Sequence, residues 1–111
     1  MIGRFGDRAT FDSLRSDGRR ARRGPMTVTY LAGGDHARVA YAIGRKVGPA
    51  VVRNRLRRRL RAAVREVDRA GGLAPGAYLI SLRPDAAHAS YGQLRRDLGE
   101  LCATLTGRVP G

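Results

Sequence analysis

The sequence has 111 residues, with 22 Lys+Arg against 9 Asp+Glu and a formal net charge of +13, which gives a pI of about 11.6. That length bounds one domain, expected over residues 1–111, with a modest core, and the charge points to nucleic acid or another anionic surface as partner. Cys102 is the only cysteine, which excludes an intramolecular disulfide and a cysteine-based zinc site and fits a reducing cytoplasm.

No apolar run approaches the roughly 18 residues needed to span a membrane, and the N-terminal Met1-Ile-Gly-Arg-Phe-Gly-Asp-Arg lacks the apolar core of a signal peptide. A soluble, cytoplasmic protein is expected. Only Lys46 is lysine, so nearly all the positive charge is arginine. Arginine favours bidentate phosphate contacts and stacking on bases; a GC-rich coding bias would enrich it as well.

In chain order, Asp7 to Ser16 reads as a short helix, with Asp7 as cap, Phe11 and Leu14 on one side, and Asp17-Gly18 as its stop. Arg19 to Gly24 is expected to be a basic connector, either a solvated loop or a phosphate-contacting patch. Met26 to Leu31 alternates as a half-buried strand, with Met26, Val28 and Tyr30 facing the core and Thr27 and Thr29 opposite. After a Gly33-Gly34-Asp35 turn, Ala37 to Gly44 forms a second strand with Val39, Tyr41 and Ile43 inward, and the two are expected to pair as an antiparallel hairpin. The other face, small and polar, suits a solvated surface or a groove floor.

Residues 44–69 dominate the sequence. Gly48-Pro49 opens a helix with proline expected at its first position, and Gly71-Gly72 ends it. Val52, Leu56, Leu60, Ala63, Val64 and Val67 recur at helical spacing and share a buried face. At about 100° per residue, Asn54, Arg58, Arg61 and Arg65 point away from it, with Arg55, Arg57 and Arg59 on the flanks and Arg53 near the boundary. Acidic residues arrive only at Glu66 and Asp68, so like charges at i,i+4, such as Arg57/Arg61 and Arg61/Arg65, oppose folding without local compensation. A polyanion is the expected neutraliser.

Ala77 to Leu82 is a further strand, and Ser90 caps a last helix to about Thr106 whose stripe is Tyr91, Leu94, Leu98, Leu101, Cys102 and Leu105. Cys102 in that stripe reads as a buried, inert thiol. His36 and His88 fall in expected loops with no carboxylate or cysteine at ligand spacing, so neither a catalytic residue nor a metal site is expected in the protein. The order α-β-β-α-β-α defines an α+β two-layer sandwich with a small mixed sheet.

The run from Gly44 through Arg61 resembles the signature of the protein component of bacterial ribonuclease P, with a Lys-x-Gly-x-Ala segment, then Arg-Asn-Arg and further basic residues on a helix. Lys46, Gly48, Ala50, Arg53, Asn54, Arg55, Arg58 and Arg61 fall on that pattern. Phe11-x-x-Leu14 with Gly18, Gly76-Ala-Tyr-Leu-Ile and Ser90-Tyr91 resemble other segments of the family in the same order. The resemblance implies the ribosomal protein S5 domain 2-like fold, in which the helix joins two parallel strands by a left-handed crossover, against the usual hand of such connections.

It also implies function: subunit of an endoribonuclease holoenzyme whose RNA hydrolyses the 5′ leader from precursor tRNA, using Mg2+ held mainly by the RNA. The implied partners are the catalytic RNA and precursor tRNA, with no membrane and no DNA. The implied RNA-docking residues are Arg45, Lys46, Arg53, Asn54, Arg55, Arg57, Arg58, Arg61 and Arg65. A leader groove would lie between the first helix and the open sheet face and involve Phe11, Arg15, Thr29 and Tyr30. Two groove positions depart from the family: its second helix aromatic falls at Arg15, and its strand aromatic at Thr29, while Tyr30 is expected inward unless a one-residue bulge swaps them. From composition alone, a ribosomal or RNA-chaperone protein is the rival reading. A DNA-reading helix would want the Gln, Ser or Thr mix that this helix lacks, and a membrane-surface helix would need the apolar face that the sheet uses.

Overall fold

A computed structural model describes residues 2–108. Its elements run β1 Ile2–Arg4, α1 Arg8–Asp17, β2 Arg19–Arg23, β3 Met26–Ala32, β4 Ala37–Ile43, α2 Ala50–Arg69, β5 Gly76–Leu82 and α3 Tyr91–Thr106, with short 3₁₀ turns at Arg45–Val47 and Pro84–His88. All six expected elements are present, and β1 and β2 are additional. The strands form one mixed sheet in the order β1-β4-β5-β3-β2.

The hairpin expected between β3 and β4 does not form. β5 lies between them, antiparallel to β3 and parallel to β4, so the two strands run in opposite directions without touching. Ala32 and Ala37 both pair with Gly76, and the connection between them crosses two strand spacings, roughly 10 Å. Burial explains the arrangement. Ala77, Tyr78, Ile80 and Leu82 are all buried, and a strand apolar on both faces belongs in the middle of a sheet. β4 and β5 are thus parallel neighbours connected through α2.

The expected connector at Arg19–Gly24 is a strand instead. β2 pairs with β3 from Arg19 opposite Tyr30 to Arg23 opposite Met26, across the two-residue turn Gly24-Pro25. Alternation sends Ala21 into the core and Arg19 and Arg23 towards α3. Arg23 Nε lies 3.1 Å from Asp97 Oδ1 and its Nη1 meets Glu100, while Arg19 Nη1 donates to the Leu105 carbonyl at 3.3 Å. An edge strand made of arginines also resists pairing with a second chain.

Helices α2 and α3 cover one sheet face. Leu56, Leu60, Ala63, Val64 and Val67 of α2 and Leu94, Leu98, Leu101, Cys102 and Leu105 of α3 pack against Met26, Val28, Val39, Ile43, Tyr78 and Ile80. Val52, expected in the buried stripe, is only partly covered. Pro49 is the N-cap of α2 rather than its first helical residue; its carbonyl accepts from the Val52 and Arg53 amides. At the other end the Gly72 amide reaches back to the Val67 carbonyl at 2.8 Å.

Helix α1 lies on the opposite face. Ala9, Thr10 and Ser13 share a hollow with Leu31, Arg38 and Ala77, and Gly18 passes so close that a Cβ there would lie 2.9 Å from Thr29 Cγ2. The Thr10 side chain and amide both donate to Asp7, at 2.6 and 2.9 Å, which holds the Asp7 carboxyl below its usual value of 3.8. A lowered carboxyl stabilises the cap fully above that value and loses its effect as pH falls through the folded-state value. Ser90 caps α3 by accepting from the Gln93 amide at 3.1 Å.

Two predictions follow from the packing. Gly76 has φ +146°, and a Cβ there would stand 2.5 Å from the Leu31 carbonyl oxygen and 2.6 Å from Tyr30 Cε1. Gly76→Ala should therefore lower stability by about 2–3 kcal/mol, seen as a lower urea midpoint with unchanged slope. Burial pushes the Cys102 thiol up from its ordinary value of 9.0 to about 12. The folded chain thus holds this proton more tightly than the unfolded one, so the contribution to stability is intact below pH 9.0 and erodes as pH rises towards about 12. At neutral pH a thiol reagent should label Cys102 only at the rate of structural opening, and mild urea should accelerate it.

Candidate nucleic-acid interface

The α2 helix places most of the sequence-predicted basic residues on one continuous surface. Arg45 and Lys46 are exposed on the 3₁₀ turn that leads into it, and Asn54, Arg58, Arg61 and Arg65 are exposed along the side away from the core. Arg53, Arg55, Arg57 and Arg59 are half-buried on the flanks. None of these arginines takes part in an ion pair among the described residues. The nearest helix carboxylate, Glu66, is taken by Arg95 of α3 at 3.2 Å.

The flanking arginines are held by other means. Arg53 Nε donates to the Gly48 carbonyl at 3.1 Å, tying the first turn of α2 to the loop before it. Arg59 Nη1 donates to the Ala89 carbonyl at 2.9 Å, just ahead of α3, and Arg57 Nη1 donates to Asn54 Oδ1 at 3.2 Å. Arg55 turns towards α3 and, with Arg58, Arg59, Ala62 and Tyr91, lines an open hollow of about 410 Å3. Its Nε is buried with no hydrogen-bond partner among the described residues. An unpaired buried donor is costly, and the hollow itself is basic, with Arg55, Arg58 and Arg59 in its lining.

The second expected site, between α1 and the sheet, is only partly as read from sequence. Phe11 borders it half-buried, Arg15 is exposed and paired with Asp12 at 3.3 Å, and Thr29 faces α1. Tyr30 does not join them. Pairing from β2 through β3 to β5 runs without a bulge, so Tyr30 points to the other face, where its hydroxyl donates to the Pro75 carbonyl at 2.8 Å and its ring lies 4.7 Å from that of Tyr78.

Sequence reasoning missed Phe5, whose ring centroid lies 5.1 Å from that of Phe11, and Arg38, whose guanidinium stands 5.7 Å over the Phe5 ring. The signal was present: an apolar residue just before a helix cap packs on the fourth helical residue, and Phe5 does so two positions before Asp7. Arg20 and Arg22, expected in a connector, either a solvated loop or a phosphate-contacting patch, sit opposite Thr29 and Thr27 and so share the groove face. The groove floor between has Leu79 at its centre, with the small side chains of Ala40, Ala42, Ser81, Thr27 and Thr29 around it. Among the described residues no three His, Cys, Asp or Glu side chains group to hold a metal ion.

An uncompensated arginine ridge on one side and a basic, aromatic-edged groove on the other define a polyanion-binding α+β protein, with nucleic acid as the polyanion that offers both phosphates and rings to stack. Residues 3–106 match the family model described as Ribonuclease P. The chain is similar to the ribonuclease P protein component of Nocardioides sp., 41% identical over 114 residues that cover 97% of this chain and 95% of that protein. It is also similar to that of Thermobifida fusca, 37% identical over 109 residues, covering 89% and 73%. In fold it is similar to the ribonuclease P protein from Thermotoga maritima, with TM-score 0.81 and 23% identity over 94% of this chain and 98% of that one. A Staphylococcus aureus ribonuclease P protein mutant gives TM-score 0.81 at 19% identity, covering 91% and 86%.

The chain belongs to the ribonuclease P protein family. It is an RNA-binding subunit of ribonuclease P, an endoribonuclease holoenzyme that acts in tRNA maturation.

The unpaired state of the α2 arginines makes stability and affinity move in opposite directions. Arg58→Gln relieves repulsion from Arg55 and Arg61, one turn away on either side, and should leave the free protein equally stable or a few tenths of a kcal/mol more stable. RNA affinity should fall, and the slope of log affinity against log salt should shrink by about 0.7–0.9 for one lost phosphate contact. Thermal melts and salt-dependent RNA titrations check both.

Proposed function

We propose that the α2 surface, from Arg45 and Lys46 through Arg53, Asn54, Arg55, Arg57, Arg58, Arg61 and Arg65, docks on the catalytic RNA of ribonuclease P. On the opposite sheet face, the groove edged by Phe5, Phe11, Arg38 and Arg20 receives the 5′ leader of precursor tRNA. The observation that carries this reading is the row of α2 arginines with no carboxylate partner among the described residues. Folding does not require that charge, and phosphates would neutralise it.

The protein's part is electrostatic and positional. Guanidinium groups on α2 replace cations that would otherwise have to condense between crowded RNA strands, and the groove adds contacts to the leader that mature tRNA lacks. Because the leader is released on cleavage, such contacts favour substrate over product. In this reading Mg2+ is held mainly by the RNA, and no proton transfer is assigned to the protein. The chain's free buried thiol and the lack of any helix long and apolar enough to cross a membrane among the described residues suit work in the cytoplasm.

Two measurements test the two surfaces. At low Mg2+, the protein should stimulate cleavage of precursor tRNA by a bacterial catalytic RNA to the mature 5′ end, and the Asn54→Ala, Arg58→Ala, Arg61→Ala triple variant should lose most of that stimulation. Equal stimulation by the variant would place the docking surface elsewhere. For the groove, Phe5→Ala with Phe11→Ala should weaken holoenzyme binding of precursor tRNA by roughly tenfold, in line with about 1–3 kcal/mol per stacked base, and leave mature tRNA binding unchanged.

A further inference from the structure

The arginine ridge of α2 is bordered on its β1 side by a cleft of about 300 Å3 with an apolar floor of Ile2, Val39, Tyr41 and Val64. It exists because β1 has only three residues, too short an edge to fill the space beside α2. Arg4, Arg61 and Arg65 also line it. None of the three has a carboxylate partner among the described residues.

Tyr41 is the decisive residue. Its ring is half-buried, and among the described residues its hydroxyl feels the charges of Arg61 and Arg65 without a hydrogen bond to either. The Arg61 guanidinium stands 6.0 Å from its centroid, at the outer limit of a cation–π contact, so the ring is approached without being sealed. An apolar slot with one aromatic wall, a free hydroxyl and cations at its lining matches a ligand that is planar and apolar in body, polar at its edge and anionic one sugar away. Those are the features of a nucleotide, and the cleft is of the size that holds a small ligand rather than a peptide.

We propose that this cleft receives the base of one unstacked nucleotide of the RNA docked on α2. The base lies against Tyr41 between Val39 and Val64, its edge meets the Tyr41 hydroxyl, and its phosphate is held by Arg61 and Arg65. The α2 face then reads RNA in two ways: phosphates along the ridge, and a single extruded base at its side. This inference rests on the proposed docking of α2 and adds a base-binding site to it.

The test begins with the free protein and 5′-AMP or 5′-UMP, followed by NMR. Both nucleotides should shift the signals of Val39, Tyr41 and Val64, whereas inorganic phosphate should shift only the arginine side chains. If nucleotides and phosphate give the same pattern, with no change at Val39, Tyr41 or Val64, the base-binding site is overturned. In the second arm, Tyr41→Leu should weaken binding of the catalytic RNA by roughly tenfold, the loss of one stacked base, with an unchanged salt slope, and Tyr41→Phe should stay within about threefold of the unaltered protein. Wild-type binding by Tyr41→Leu would also overturn it. Precursor cleavage separates this from the wider reading: stimulation that persists while the cleft stays silent removes the base pocket alone, and loss of stimulation by the unaltered protein removes the docking reading with it.

Discussion

Helix α2 has to be held down by one face while the other is left electrically unsatisfied, and the rest of the structure accommodates that conflict. Its repelling arginine pairs each cost a few tenths of a kcal/mol. Burying Leu56, Leu60, Val64 and Val67, all essentially inaccessible, contributes about 1.5–3 kcal/mol for each side chain. Burial therefore decides, and it decides by a margin that lets the helix carry arginines with no ion-pair partner among the described residues. Three nearby carboxylates are used elsewhere, Asp97 and Glu100 on the arginine edge strand and Glu66 on Arg95, and the other carboxylate of α2, Asp68, comes only in its last turn.

The arginines of that helix are not equivalent. Arg53 and Arg59 spend a donor on a backbone carbonyl, at Gly48 and Ala89, so their forks are fixed before any RNA arrives and less side-chain freedom is lost on binding. Arg58, Arg61 and Arg65 are exposed and, under the proposed docking, would adjust to the phosphates they meet. Under the proposed docking, a held flank beside an exposed ridge would set the register of a docked strand while tolerating variation in its path.

The helical parts of this architecture were legible because their signals are local. The α2 and α3 stripes, the caps at Asp7 and Ser90 and the Gly71-Gly72 stop depend on spacing within one segment, and the basic ridge follows from the same helical wheel. What was not legible is non-local. Nothing in Met26–Leu31 or Ala37–Gly44 says that a strand more than thirty residues later will come between them; that choice is made by the demand of β5 for burial on both faces. β2 was hidden for another reason, since arginines at alternate positions look solvated until Asp97 and Glu100 of a distant helix are brought beside them. The resemblance to a family named a set of basic residues that the fold brings to one surface, but it misplaced Tyr30, whose face is set by unbroken strand pairing, and it passed over Phe5, which lies outside the matched motifs.

The sheet has a further role once both surfaces are considered together. The α2 ridge and the α1 groove lie on opposite faces, and the shortest dimension of the molecule is 22 Å, more than twice the Debye length of about 8 Å at physiological ionic strength. The two positive surfaces are therefore largely screened from each other. Under the proposed function each would meet its RNA at its own local potential, and neutralising one would do little to weaken the other. A single basic patch of the same total charge would concentrate repulsion within one region and offer two strands the same cations. Dividing the charge across a sheet avoids that competition, and it fits the combination seen here: a small domain with a charge of +13, most of its core on one side of the sheet, and a largely small-residue floor around Leu79 on the other.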